Sequence, residues 1–187
     1  MPQSKILVDS NAYFRLAQSI HPLLKVIFGE QDYCLYVIKE LQEEYDKNPR
    51  LKNAFSWVNQ PEYKENRSHK LVVSREQQKE IKHAFEFVHD YAKTNSFSVS
   101  KVDISGLTHA LILKVPIVTD DSDMLAVAEA FDIKALNTLE LLKLMLDSNH
   151  VNMGKVKEIA AYWEYLNDKP KSFERDYRRL FKETPPK

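Results

Sequence analysis

Apolar residues recur along this chain in two rhythms. Ile6, Leu7 and Val8 form a short unbroken run closed by Asp9, the pattern of a strand buried on both faces. A helix is predicted to follow, with Ser10 or Asn11 as its N-cap, until Pro22 interrupts it. Leu35, Ile38, Leu41 and Tyr45 keep helical spacing, which predicts a helix from Asp32 to Lys47 ended by Asn48 and Pro49. Between 49 and 73, Asn, Pro, Lys and Glu break every period, so irregular or short helical structure is expected there. Ser74 with Gln77 is a capping-box pattern, and Ile81, Phe85, Val88 and Tyr91 then mark one face of a helix ending near Asn95.

Beyond that point the rhythms alternate. Asp103 is predicted to lead a helix through Leu113, Pro116 to Thr119 a strand, Ser122 to Phe131 a helix, and Ile133 to Leu136 a strand. Thr138 is read as the cap of a helix carrying Leu139, Leu142 and either Met145 or Leu146. Strands alternating with helices imply a parallel sheet covered on both faces, hence an α/β fold. Asn152 can cap a further helix, in which Val156, Ile159, Trp163 and Leu166 keep helical spacing until Pro170. A last helix, Phe173 to Phe181, is basic and aromatic.

The 187 residues suit one domain with an appendage, and 43% hydrophobic with 29% charged residues exclude a disordered chain. The apolar stretch from Leu111 to Val118 is broken by Lys114 and Pro116, far short of a membrane span. The N-terminus shows no signal pattern, so a cytoplasmic protein is expected. Cys34, the one cysteine, reads as a buried structural thiol. Three glycines offer no phosphate-cradling loop, and Ser10 and Ser122 lack a His/Asp partner set. His109 reads as a surface or packing residue rather than a ligand, because Leu113 stands at i+4.

Net charge is zero, but residues 103–150 hold 3 bases against 8 acids while residues 45–102 hold 11 against 7. That asymmetry suits a polyanion held by a basic surround over a cation-loaded acidic pocket. The acids gather in "VTDDSDM", where Asp120, Asp121 and Asp123 crowd into four positions after a strand. Such crowding raises carboxylate pKa values unless a positive partner relieves it. Ligands of open parallel sheets bind beyond the carboxyl ends of the strands, so Asp9 and Asp121 would meet there if their strands are neighbours. Asp103, at the head of the intervening helix, would point to the same edge. Three carboxylates make the hard-oxygen environment preferred by Mg²⁺ or Mn²⁺.

Three stretches, "ILVDSNAYFRLA" (6–17), "IKELQEE" (38–44) and "DISGLTHALILKVPIVTDDSDM" (103–124), together resemble the PIN domain family, and within it the VapC-like ribonucleases of type II toxin–antitoxin pairs. The resemblance implies a three-layer PIN-like fold over residues 1–147, with a mainly parallel central sheet and a helical insertion at about 45–102. Residues 148–187 would be a helical C-terminal extension. It implies a metal-dependent endoribonuclease with Asp9, Glu40, Asp103 and Asp121 as its acidic quartet and Asp123 as a variable fifth acid. Glu43 and Glu44 compete with Glu40 for the second position. Asp9, Asp103 and Asp121 would ligate Mg²⁺ or Mn²⁺, with Asn11 and Thr119 orienting carboxylates or waters.

The expected products are a 5′-phosphate and a 3′-hydroxyl, the partners an RNA substrate and a cognate antitoxin, and the assembly a homodimer. A nuclease acting on RNA or DNA without an antitoxin, and a catalytically silent scaffold, are the competing readings. Arg15, Arg50, Arg67, Arg175, Arg178 and Arg179 are candidate RNA contacts, with Lys52, Lys64 and Lys70 near the second and third. Phe173, Tyr177 and Phe181 recur at i, i+4 and i+8, which favours packing over base stacking for the rings of the last helix.

Overall fold

The computed structural model describes residues 3–68 and 71–186, so Lys70 lies outside the described residues. The chain opens with β1 (Ser4–Val8), α1 (Ser10–Leu16), β2 (Ile27–Phe28), β3 (Tyr33–Tyr36) and α2 (Glu40–Lys47). Short helices α3 (Pro49–Ala54) and α4 (Pro61–Arg67) follow, separated by a single 3₁₀ turn at Ser56–Asn59, and then the long α5 (Arg75–Thr94). The second half runs α6 (Lys101–Leu113), β4 (Ile117–Val118), α7 (Ser122–Ala130), β5 (Ala135–Leu136), α8 (Thr138–Asp147), α9 (Met153–Leu166) and α10 (Phe173–Phe181).

The five strands form one sheet in the order β2-β3-β1-β4-β5. β1 pairs in parallel with β3 on one side and β4 on the other, β5 continues in parallel beyond β4, and only β2 is antiparallel. Side-chain alternation sorts the sheet into two faces. Ile6, Val8, Leu35 and Val118 enter one core with α1, α8, α9 and α10, while Leu7, Cys34, Tyr36 and Ile117 enter another with α5, α6 and α7. The architecture is therefore α/β with helices on both faces. Trp163, Phe173, Tyr177 and Phe181 are buried in the same core as Ile6 and Val8, so the rings of α10 pack rather than face solvent. Cys34 is a buried free thiol. No helix among the described residues is long and apolar enough to cross a membrane.

Several boundaries differ from the pattern in the sequence. The segment expected as one helix from Asp32 divides into β3 and α2, because Tyr33 to Tyr36 pair with Ser4 to Leu7 of β1. An unbroken apolar run satisfies either structure locally, and the free edge of β1 decides. Helix α1 stops at Leu16, well before Pro22. Ser100, not Asp103, caps α6, and Asn137, not Thr138, caps α8; each forms a capping box with the acid three residues on. The box predicted at Ser74 and Gln77 is present.

Candidate active site

The chain leaves β1 for β3 on one side and reaches β4 on the other, so the topological switch lies at the carboxyl end of β1. Asp9 stands there. Its N–H donates to the Val118 carbonyl at 3.0 Å, and its Oδ1 accepts from the Ala12 N–H at 2.6 Å as the N-cap of α1. Val8 is in register with Val118, which brings the fully buried Thr119 beside Asp9. The Thr119 hydroxyl donates to Met124 Sδ at 3.3 Å, accepts the Asp121 N–H at 3.1 Å and lies within reach of the Asp9 carboxyl. Asp121 caps α7 in turn, its Oδ1 accepting from Asp123 N at 2.8 Å and Met124 N at 2.9 Å.

Asp103 arrives from the other layer. Its Oδ2 accepts from Ser100 N at 2.7 Å, which fixes the carboxylate at the start of α6. Gly106, one turn further, allows α6 to lie close on β4: a Cβ there would sit 3.3 Å from Ile117 Cδ1. A small cavity of about 10 Å³ between α6 and the sheet is lined by both Asp9 and Asp103, with Ser10, Gly106 and Met124 around them.

Burial pushes the Asp9 carboxyl up to about 7, against the lowering effect of the Thr119 hydroxyl and the Ala12 N–H; the charges of Asp120 and Asp103 add to the rise. Asp103 is raised as well, chiefly by burial, with Ser100 opposing and Asp121 reinforcing. Asp103 therefore feels Asp121, and Asp9 feels Asp103.

The crowding in "VTDDSDM" is relieved residue by residue. Asp120 is not part of the acid group's open side: Arg15 Nη1 donates to its Oδ2 at 2.8 Å, the Thr138 N–H to its Oδ1 at 3.0 Å, and the Thr138 hydroxyl to Oδ2. Asp121 is met by two N–H groups at the positive end of α7. Asp123 accepts from Ser98 N at 2.7 Å and so ties α7 to the segment leading into α6.

Helix α2 brings two further carboxylates. Glu44 Oε2 accepts from the Ser10 hydroxyl at 2.7 Å, which places it next to the residue following Asp9. Glu40 begins α2, and its Oε2 is buried without a hydrogen-bond partner. Glu43 is exposed and pairs with Lys47 at 3.6 Å. Asn11 is exposed on the first turn of α1.

The donor chemistry fits a hard divalent cation, since every side chain involved is an oxygen donor. The caps engage Asp9 Oδ1, Asp103 Oδ2 and Asp121 Oδ1. Among the described residues, no three His, Cys, Asp or Glu side chains are grouped around a single point as a metal site. The orphaned Glu40 oxygen is the one buried acid atom that lacks any partner among them.

Two of the candidate RNA-contacting arginines are taken inside the fold, which corrects that expectation. Arg15 bridges Asp120 and Asp168. Arg67 donates to the Tyr13 hydroxyl at 2.9 Å, to Gln42 and to the Val58 carbonyl, which binds α4 to α1 and α2. Arg175 and Arg179 are exposed but engage Asp176, and Arg179 also meets Glu140 at 3.0 Å. Arg50 and Arg178 are exposed. The His109 ring bonds the Ser105 carbonyl at 2.7 Å, as a packing residue does.

No protein-family model matches the chain, and no curated protein matches its sequence. Among solved structures it is similar to a chain in the crystal structure of FitAcB from Neisseria gonorrhoeae, at 14% identity and a TM-score of 0.47, covering 72% of this chain and 98% of that one. A likeness of that degree identifies neither a family nor an activity. The fold and the acid edge define an α/β protein with a carboxylate group at its sheet switch point.

Proposed function

We propose that the protein is a divalent-metal-dependent nuclease of the PIN type, acting on RNA as the toxin of a toxin–antitoxin pair. The observation that carries the nuclease reading is the cavity at the carboxyl end of β1 lined by both Asp9 and Asp103, with Asp121 capping α7 just beyond the neighbouring strand β4. RNA, the antitoxin partner and a homodimer rest on the resemblance of the three sequence stretches alone.

Asp9, Asp103 and Asp121 would hold Mg²⁺ or Mn²⁺, with Glu40 and Asp123 supporting through water or a second ion. When bound, such an ion neutralises phosphate charge and lowers the pKa of a water. The chain's own residues do the rest. Thr119 holds Asp9 and the head of α7 in one arrangement, and Ser100 holds Asp103. Glu44 fixes the Ser10 hydroxyl beside Asp9. Burial under α6 limits water around the acids, which strengthens every charge interaction among them.

The test is cleavage of a mixed RNA pool and of single-stranded DNA by purified protein with Mn²⁺, Mg²⁺ or EDTA, beside an Asp121→Asn variant verified by circular dichroism. Metal-dependent RNA cleavage lost in the variant is the expected result. Cleavage of neither substrate under any metal would overturn the nuclease reading in favour of a binding scaffold. For the toxin assignment, expression is expected to arrest growth unless Asp9 is replaced by Ala, and persistent arrest by that variant would reject catalysis as its cause. Light scattering checks the dimer.

A further inference from the structure

A groove of about 1550 Å³ runs between α2 and the α5–α6 pair. It shares Ile38, Leu41 and Val102 with the acid-lined cavity, so its inner end opens beside Asp9 and Asp103. Small-molecule sites measure roughly 300–1,000 Å³, so a groove of this size suits a polymer. Its floor is apolar, with Leu71, Ile81 and Phe85 among its residues. Lys39, Lys64, Lys82 and Lys101 stand on it, all exposed and none in an ion pair or side-chain hydrogen bond among the described residues.

The groove also carries acids. Glu43 pairs with Lys47, while Glu44 accepts from the Ser10 hydroxyl and Asp46 from the Gln42 amide, both keeping their charge. Glu40 and Glu86 complete the set, so that five anions face the six cations Lys39, Lys47, Lys64, Arg67, Lys82 and Lys101. Lys39 immediately precedes Glu40, and Lys101 lies two residues before Asp103 in the chain. Lys64 on α4 and Lys82 on α5 also line the groove.

We infer that this groove binds a single-stranded RNA segment, its phosphates met by Lys39, Lys101, Lys64 and Lys82 and its unpaired bases lying on the apolar floor around Phe85. Lysine contacts hold the backbone without reading sequence, and exposed bases need flat apolar surface. The inference rests on the nuclease reading, because it assigns the substrate path of that same site. It also moves the RNA contacts from Arg15 and Arg67, which are structural, to four lysines of which the residue pattern singles out only Lys64.

The experiment measures fluorescence anisotropy of a labelled mixed-sequence RNA 20-mer in EDTA, so that binding is read without cleavage. Wild type is compared with Lys64→Glu/Lys82→Glu and with Lys171→Glu, an exposed lysine outside the groove. The groove variant is expected to bind about 10-fold more weakly, with a log–log salt slope shallower by about 1.4 for two lost phosphate contacts. Lys171→Glu is expected to match wild type. Equal affinity of the groove variant, no binding by wild type, or tighter binding of the same RNA as a duplex would each overturn the inference. Groove-dependent binding without cleavage in Mn²⁺ would support the groove and reject the nuclease reading, so the two failures are told apart.

Discussion

The Arg15 guanidinium bridges two carboxylates from distant parts of the chain, meeting Asp120 at 2.8 Å and Asp168 at 2.9 Å. Despite the opposing effect of burial, these two acids hold Arg15 above its ordinary pKa. The bridge joins the turn after β4 to the segment after α9, and Trp163 adds a bond from its indole N–H to the Arg15 carbonyl at 3.0 Å. Helix α9 is thus tied to the acid edge by polar as well as apolar contacts. It also explains how the fold tolerates a third carboxylate beside Asp9.

Removing that cation leaves Asp120 buried and unpaired, with 7% of its side chain exposed. Arg15→Met is expected to cost about 3–5 kcal/mol in urea unfolding, the range for one partner removed from a buried pair. Adding Asp120→Asn to the same chain should recover a large part of the loss. No recovery would show that the packing of the Arg15 stem, not the stranded charge, dominates.

Ionisation of Asp9 works against the metal-free fold as pH rises towards neutrality. Its folded pKa is raised, so between 3.8 and about 7 the folded state holds a proton the unfolded state has lost. Stability then falls as pH rises through that window. Asp9→Asn in EDTA is expected to raise the melting temperature at pH 8 by more than at pH 4. Equal shifts at both pH values would rule out ionisation of Asp9 as the source.

Divalent ions should oppose this penalty. Mn²⁺ at about 100 times its dissociation constant stabilises a folded protein by about 2.7 kcal/mol if it binds one site there and none in the unfolded chain. A rise in melting temperature of wild type with added Mn²⁺, absent from Asp103→Asn/Asp121→Asn, is the expected result. A shift retained in full by the double variant would place the ion elsewhere.

Asp176 behaves in the opposite sense to Asp9. Burial raises its pKa, but the Ser172 hydroxyl at 2.5 Å and the Arg175 and Arg179 guanidinia outweigh burial and hold it below 3.8. Its contribution is present above the unfolded value and lost as pH falls through the folded one. Asp176→Ala is expected to cost roughly 1–3 kcal/mol at pH 7. That difference should shrink on acidification towards pH 2, which denaturant titrations at both pH values would measure.

Much of the fold follows from local chemistry. The run closed by Asp9, the Ser74–Gln77 box, the Asn152 cap and the ring stripe of α10 depend on neighbours within a few residues, and all are present. Asp9, Asp103 and Asp121 were legible as candidates because each stands at the junction of a periodic segment with a helix start. The β3 segment was not, since an apolar run reads as strand or helix until a partner edge is supplied. The roles of Arg15, Arg67 and Asp120 were hidden for a related reason. A charge's role depends on what stands within about 4 Å, and the partners of Arg15 are 105 and 153 residues away.

The sequence by itself therefore determined the α/β class and the caps at Ser74 and Asn152, and offered the candidate acids, because short-range periodicity and capping act along the chain. Tertiary structure alone decided which acids share a cavity, which arginines are buried as struts and which lysines line a groove. Those outcomes depend on burial and on distances between segments remote in sequence, where desolvation and Coulomb energies are set.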